Sequence, residues 1–294
     1  MEERTITYSH ISLFICGTGQ DKEGGFLSLP FGIDISRWQW GDKGESPDFV
    51  KMREQTEFVA VRAGMSWGYV DPYFRPAWEA LYGHNRIAYH VVYPSQNAQR
   101  QMDHFLDIVK PIDTDRLSLD MEVHNGLGKS QITDTFLTCI EYLKSKTGRY
   151  PLVYSRASWI NDYLDISRLP DLDWWLATYY RRNEYPSYTA EFPSPPYLPN
   201  GVNTWLIHQT GERGNGGKYG VRSYYVDTDR FNGTGADLSV YFGADYNLYL
   251  PIVTIPEPEP EEVLFEARVY EWATPYVNIR RGAGTSNPKT GIAH

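Results

Sequence analysis

The chain has 294 residues, 41% of them hydrophobic and 15% aromatic, with a formal net charge of −9 and a sequence pI near 5.3. That length can bury a sizeable core in one large domain or two smaller ones, and an acidic balance without any basic run argues against nucleic-acid binding through phosphate neutralisation. Cys16 and Cys139 lie far apart with no CxxC or Cys/His spacing, which excludes a disulfide framework and a zinc site, and no apolar run reaches the roughly 20 residues that span a bilayer, so no membrane insertion is expected.

Residues 1–29 open the chain as an extension. MEERTITYSHISLFICGTG carries Glu2 and Glu3 where a secretory signal needs positive charge, and its apolar part, Ile11 to Cys16, is too short for one, so no signal peptide is recognisable. From about residue 30, β-branched and aromatic runs alternate with amphipathic helical patterns. The predicted strands are FGIDIS (31–36), FVAVRAG (58–64), RIAYHVVYP (86–94), RLSLDMEV (116–123), PLVYSR (151–156), WWLATYY (174–180), TWLIHQTG (204–211) and YYVDTDRF (224–231). The first five recur at intervals of about 30 residues, the length of a βα unit. Between them, NAQRQMDHFLDIVK sets Met102, Phe105, Leu106 and Val109 on one stripe. SQITDTFLTCIEYLKSKTG has a polar start, Cys139 on its apolar face and Gly148 as a stop. After the sixth strand the helical pattern fades, and RRNEYPSYTAEFPSPPYLPNG is too rich in Pro and Tyr for a regular helix.

This order predicts an α/β fold, a (β/α)-barrel of eight strands over residues 30–245 whose last quarter is irregular. No Gly-rich phosphate loop follows the first strand, which weighs against a doubly wound nucleotide-binding sheet. Residues 246–263 hold a Pro-Glu alternation from Pro256 to Glu262 and read as a semi-rigid linker. Residues 264–294, with Leu264, Phe265, Val269, Tyr270, Trp272, Val277 and Ile279 as apolar anchors, are enough for a partial all-β segment or hairpin but not for a closed small barrel.

Residues at the C-terminal strand ends of such a barrel point into one pocket. That rule gathers Asp34 after the first strand, Asp120 and Glu122 at the fourth, and Asp227 with Asp229 in the eighth, which adjoins the first when the barrel closes. Asp120 and Glu122 project to the same side with Met121 opposite. Like charges so close resist joint ionisation, a cost in a scaffold and an asset in an acid catalyst. Trp38, Trp67, Tyr69, Tyr89, Tyr93, Tyr154, Trp175, Tyr179, Trp205 and Gln209 fall around the same rim. Carboxylates combined with rings and amides are what glycoside hydrolysis needs: an acid for the leaving oxygen, a second group for the oxocarbenium-like centre, and flat faces for sugar rings. Dense Asp runs of the D-x-D-x-D-G kind are absent, so no metal or other cofactor is expected. There is no G-x-S-x-G, and His90 and His208 lie inside strand runs as packed histidines.

DISRWQ (34–39) resembles the D-x-S-x-W-Q opening of the glycoside hydrolase family 25 lysozymes, and LSLDMEV resembles that family's D-x-E strand. WLIHQTG and YYVDTDRFNG are similar to its late Trp-x-x-x-Gln and Val-Asp-x-Asn/Asp-x-Phe strands, in the same order, across residues 31–243. The resemblance implies an irregular barrel with about five helices and an N-acetylmuramidase. Such an enzyme cuts the β-1,4 bond between N-acetylmuramic acid and N-acetylglucosamine in peptidoglycan, here as a monomer. It implies Glu122 as general acid, Asp120 as its partner, Asp34 and Asp227 as further pocket acids, and Trp38 and Gln39 among the substrate-binding residues. Asp229 stands where many relatives carry Asn. YVNIRRGAGTSNPKTG is similar to the opening of bacterial SH3-like wall-binding domains, of which about half is present. A barrel, a Pro-rich spacer and a wall-binding module form the plan of phage endolysins, so the resemblance implies a phage-encoded enzyme released to the cell wall, or a secreted one. Two alternatives remain: a chitinase-like hydrolase, whose D-x-x-D-x-D-x-E motif is broken here by Arg116 and Ser118, and a non-catalytic glycan-binding barrel, which would gain nothing from keeping Asp120 beside Glu122.

Overall fold

A computed structural model describes residues 29–179 and 195–243, and the backbone strands at 277–280 and 289–293. The chain divides into two compact units, Met1–Leu248 and Tyr249–His294. In the first, the strands are β1 (Phe31–Ile35), β2 (Phe58–Met65), a two-residue β3 (Tyr69–Val70), β4 (Arg86–Val91), β5 (Arg116–Asp120), β6 (Leu152–Ser155), β7 (Trp174–Ala177), β8 (Ile207–Asn215) and β9 (Tyr225–Phe231). Six α-helices accompany them among the described residues: α1 (Phe49–Gln55), α2 (Phe74–Ala80), α3 (Ala98–Val109), α4 (Lys129–Thr147), α5 (Ala157–Tyr163) and α6 (Gly235–Tyr241). The strand order β1-β9-β8-β7-β6-β5-β4-β2, closed by the β1–β2 pairing, makes an eight-stranded barrel, and β3 hangs on β2 as a small antiparallel flap.

The alternation of each strand sorts its side chains into two cores. Ile33, Ile35, Val59, Val61, Leu117, Leu119, Met121 and Val153 point outward and meet Met102, Phe105, Ile132, Phe136, Cys139 and Leu143 from α3 and α4. Each such fully buried aliphatic or aromatic side chain is worth roughly 1.5–3 kcal/mol relative to exposure. Leu106, expected on the buried stripe, is only half-buried at its edge, and Ile108 takes a buried place beside Val109. α4 ends where Gly148 adopts φ 76°, its N–H closing on the Lys144 carbonyl. The inward residues Phe58, Ala60, Ile87, Leu152, Tyr154, Trp175, Ile207 and Phe231 form a second core, which Leu238 of α6 and Phe242 just after it seal at the barrel's lower end. Gly32 is needed inside this barrel, since a Cβ there would lie 2.4 Å from the Phe58 ring.

Seven strands run parallel, but β9 runs antiparallel to both β8 and β1. The (β/α) pattern expected from sequence therefore closes through a β8–β9 hairpin. Asp227 reaches the upper rim from near the start of its strand rather than from its C-terminal end, and pairs in register with Asp34. Trp205 is corrected by the same topology. It precedes β8, so it lies toward the lower end of the barrel, packed on the outer core.

In the second unit, β10 (Val277–Arg280) pairs antiparallel with β11 (Lys289–Ala293), the hairpin expected for the tail. The expectations for the N-terminal extension with Cys16, the Pro-Glu linker and the anchors Leu264 to Trp272 lie outside the described residues.

Candidate active site

The barrel interior gathers four aspartates, with Asp34 and Asp227 in register and Asp229 one inward step below them. Asp34 (β1), Asp120 (β5), Asp227 and Asp229 (β9) all face inward, and Asp34, Asp120 and Asp229 are buried. Gln209, on β8, ties Asp34 and Asp227 together. Its Nε2 donates to Asp34 Oδ2 at 2.7 Å and to Asp227 Oδ2 at 3.4 Å, while its Oε1 accepts the hydroxyl of Tyr154 at 2.8 Å and that of Tyr179. Every hydrogen-bonding capacity of that amide is used, which fixes its orientation. The strand that carries Asp120 ends there, and Glu122 sits one step above in the following loop, exposed at the mouth. Met121 between them turns into the outer core, as the alternation requires.

Burial dominates the electrostatics. It raises the Asp34 carboxyl to about 7, with the Gln209 hydrogen bond and Arg62 opposing and the Glu122 charge adding. Asp120 is held well above the usual carboxylate range by burial and then by the charges of Glu122 and Asp34. Its Oδ1 is buried without a hydrogen-bond partner. Asp227 and Asp229 are raised likewise, by burial first and Asp34 next. Glu122 is raised by partial burial against the opposing charge of Arg156. A group of carboxyls that cannot all ionise together keeps protons near neutral pH, which suits acid catalysis.

The aromatic residues divide. Tyr89, Tyr154 and Tyr179 line the carboxylate level, and the Tyr89 and Tyr154 rings each meet Trp175 edge-on at 6.2 and 5.0 Å. Trp175 itself is corrected: at 2% exposure, with its indole N–H donating to Asp229 Oδ1 at 2.8 Å, it is the floor of the pocket and has no free face for a sugar ring. Trp38 stands at the rim, 63% exposed, with the Arg37 guanidinium 4.2 Å from its ring. Gln39 is drawn into local structure, because its Oε1 accepts the Ser36 N–H at 2.8 Å to complete a capping box. Trp67 and Tyr93 belong to the β2 and β4 ends; Trp67 contacts Gln96 and Arg100 and Tyr93 contacts Gln101, all on α3 or its approach, and the Tyr93 hydroxyl also meets Met65 at the end of β2. His90 and His208 are packed as expected, each bonded to a carbonyl and lowered by burial to about 3 and about 4.

Sequence reasoning missed the cations. Arg62, inward on β2, forms an ion pair with buried Asp71 at 2.8 Å and is the positive charge that Asp34 and Asp120 feel. Arg156, the last residue of the predicted strand PLVYSR, places Nε 3.7 Å from Glu122 Oε1 and its guanidinium 5.5 Å from the Tyr179 ring centre. Both positions were findable as arginines at strand ends on the acidic rim. Among the described residues no group of three or more acidic, His or Cys side chains could hold a metal, and no helix is long and apolar enough to cross a membrane.

The family model described as Glycosyl hydrolases family 25 matches residues 33–216, a span that includes Asp34, Asp120, Glu122, Arg156 and Gln209 and stops before Asp227. The uncharacterized protein YegX of Escherichia coli K12 is 28% identical over 216 residues, 71% of this chain and 72% of that protein. Among solved structures, a family 25 glycosyl hydrolase from Bacillus anthracis superposes with a TM-score of 0.61 at 19% identity, covering 72% of this chain and 93% of its own. A bacterial lysozyme from Streptomyces coelicolor does so at 0.57 and 24%, covering 74% and 99%. With the matched span running from β1 through β8 and the acid-lined barrel built on it, this chain belongs to glycosyl hydrolase family 25 and is a glycoside hydrolase.

Proposed function

We propose that the protein hydrolyses peptidoglycan as an N-acetylmuramidase, cutting the β-1,4 bond between N-acetylmuramic acid and N-acetylglucosamine. The observation that carries this reading is an exposed carboxyl of raised pKa, Glu122, standing directly over a buried group of partly protonated carboxyls in one barrel mouth. Glu122 donates its proton to the glycosidic oxygen as the bond breaks. Asp120, at the end of the strand and on the same side one step below Glu122, is its partner. Asp34 and Asp227, clamped by Gln209, set the charge around them. Trp38 offers its exposed ring to the glycan at the rim. The Streptomyces coelicolor lysozyme, similar over nearly its full length, supports the substrate class. The cell wall, reached after release from an infected cell or after secretion, is the place of action in this reading, with the enzyme working as a monomer.

The test is incubation with purified cell walls, followed by turbidity and by reduction and analysis of the new ends. Turbidity loss with muramic acid at the new reducing ends is expected. New ends of N-acetylglucosamine, or cleavage of chitin in preference to walls, would reassign the enzyme to the chitinase-like alternative; glycan binding without any new ends would leave a binding barrel.

A further inference from the structure

Beside the proposed acid, the rim of this pocket carries a cation, Arg156. Arg156 follows β6 and immediately precedes α5, so its backbone is fixed by two regular elements, while its side chain is 47% exposed and reaches across to Glu122. The two charged groups lie 3.7 Å apart, a loose pairing between half-exposed side chains, and the guanidinium also rests near the Tyr179 ring. Such a pair contributes little to stability. It has a chemical consequence instead, since the guanidinium opposes the rise that burial gives Glu122 and so favours its ionised form, the form that cannot donate. Drawing Arg156 away from Glu122 would leave burial alone acting on the acid.

We propose that Arg156 is a specificity-determining residue that a carboxylate on the glycan itself captures: the acid of the substituent on the muramyl sugar, free lactate or the stem peptide joined to it. This rests on the muramidase reading above. A guanidinium presents a planar fork of donors that matches a carboxylate in two-point contact, a better partner than the single 3.7 Å approach of Glu122. Capture by substrate removes that opposition and leaves burial to raise Glu122 toward its protonated state. The anionic glycan thereby arms the acid that cuts it, and a neutral N-acetylglucosamine polymer leaves the pair closed. Selectivity for muramyl glycans over chitin then arises from one exposed arginine and needs no further pocket.

The experiment compares kcat/KM on two soluble strands prepared from the same walls, one with lactyl carboxylates intact and one with those carboxyls reduced to alcohols. The wild-type enzyme is expected to prefer the anionic strand by about 10- to 100-fold, the range for a charge-assisted contact. Arg156→Gln is expected to cut both strands at similar rates, and the alkaline limb of its kcat/KM profile is expected to move upward, because the cation that favours ionised Glu122 is gone. Arg156→Lys retains the charge without the fork and is expected to keep part of the preference. A merely structural arginine would lower both rates together and leave the limb in place. Equal wild-type rates on the two strands, or an undiminished preference in Arg156→Gln, would overturn the proposal. Failure of the wild-type enzyme to cut either strand would sink the muramidase reading, and this one with it.

Discussion

Asp34 shows how much of this site is set by where one carboxyl is kept. In the unfolded chain it titrates near 3.8, and in the barrel it is raised to about 7. The folded state therefore holds a proton that the unfolded state releases as pH rises from about 4, so the contribution is harmless below 3.8, and stability falls as pH climbs from about 4 to about 7 and levels off above it. Asp34→Asn removes this penalty while its amide oxygen can still accept from Gln209. The variant is expected to melt higher than the wild-type protein at pH 7 by up to a few kcal/mol, and by less at pH 4. Thermal melts at the two pH values decide it, and an equal difference at both would mean that the cluster does not oppose its own ionisation. Glu122→Gln is the catalytic counterpart. Its side chain is 39% exposed, so the fold and melting temperature should hold, while the loss of a transferable proton should reduce wall lysis by roughly 10²- to 10⁴-fold. Wild-type lysis by a folded Glu122→Gln would remove Glu122 from the acid role.

At the scale of elements, the short 3₁₀ turn Arg37–Gln39 after β1 links local capping to the glycan-facing ring. Ser36 Oγ accepts from the Trp38 N–H at 3.4 Å, and Gln39 closes the box from the other side. Gln39→Ala opens that box at a cost of about 0.5–2 kcal/mol, the usual range for a lost cap. Trp38 then loses its fixed pose, so KM on soluble strands is expected to rise several-fold with kcat nearly unchanged. A fall in kcat at constant KM would place Gln39 at the reacting centre instead. What the sequence disclosed at this scale follows from periodicity. Two-residue alternation marked all eight barrel strands, and the stripes of α3 and α4 were clear because their apolar residues recur at helical spacing. The reversed direction of β9 was hidden, because inward and outward alternation reads the same in either direction. Trp175 was misjudged for a related reason: alternation says that it faces inward, but not whether inward at its level means floor or mouth. Arg62 and Arg156 are not marked by the convergence of acids, because the cations that oppose a carboxyl group share no spacing with it in the sequence.

For the whole molecule, the barrel closes on itself between residues 29 and 243. The Leu29 carbonyl accepts from Arg230 Nη1 at 2.9 Å, the Pro30 carbonyl from the Phe231 N–H at 3.0 Å, and the Tyr241 carbonyl from the Arg116 side chain. Phe242 completes the seal below. A fragment of residues 29–243 thus keeps both cores and every residue of the proposed site. It is expected to melt as the full chain does and to match its kcat/KM on soluble glycan strands; an insoluble fragment, or one inactive on those strands, would show that a removed segment supports the barrel. The tail offers less to the cell wall. Its hairpin of four- and five-residue strands is a unit that is marginal in water alone, and a closed wall-binding barrel needs more strands than residues 264–294 can supply. Residues 244–294 fused to a fluorescent carrier are therefore expected to show no saturable binding to intact cell walls, and the 29–243 fragment to lyse walls nearly as fast as the full chain. Tight, saturable retention of the fusion would show that residues 244–294 suffice to bind the wall, and would give them a targeting role.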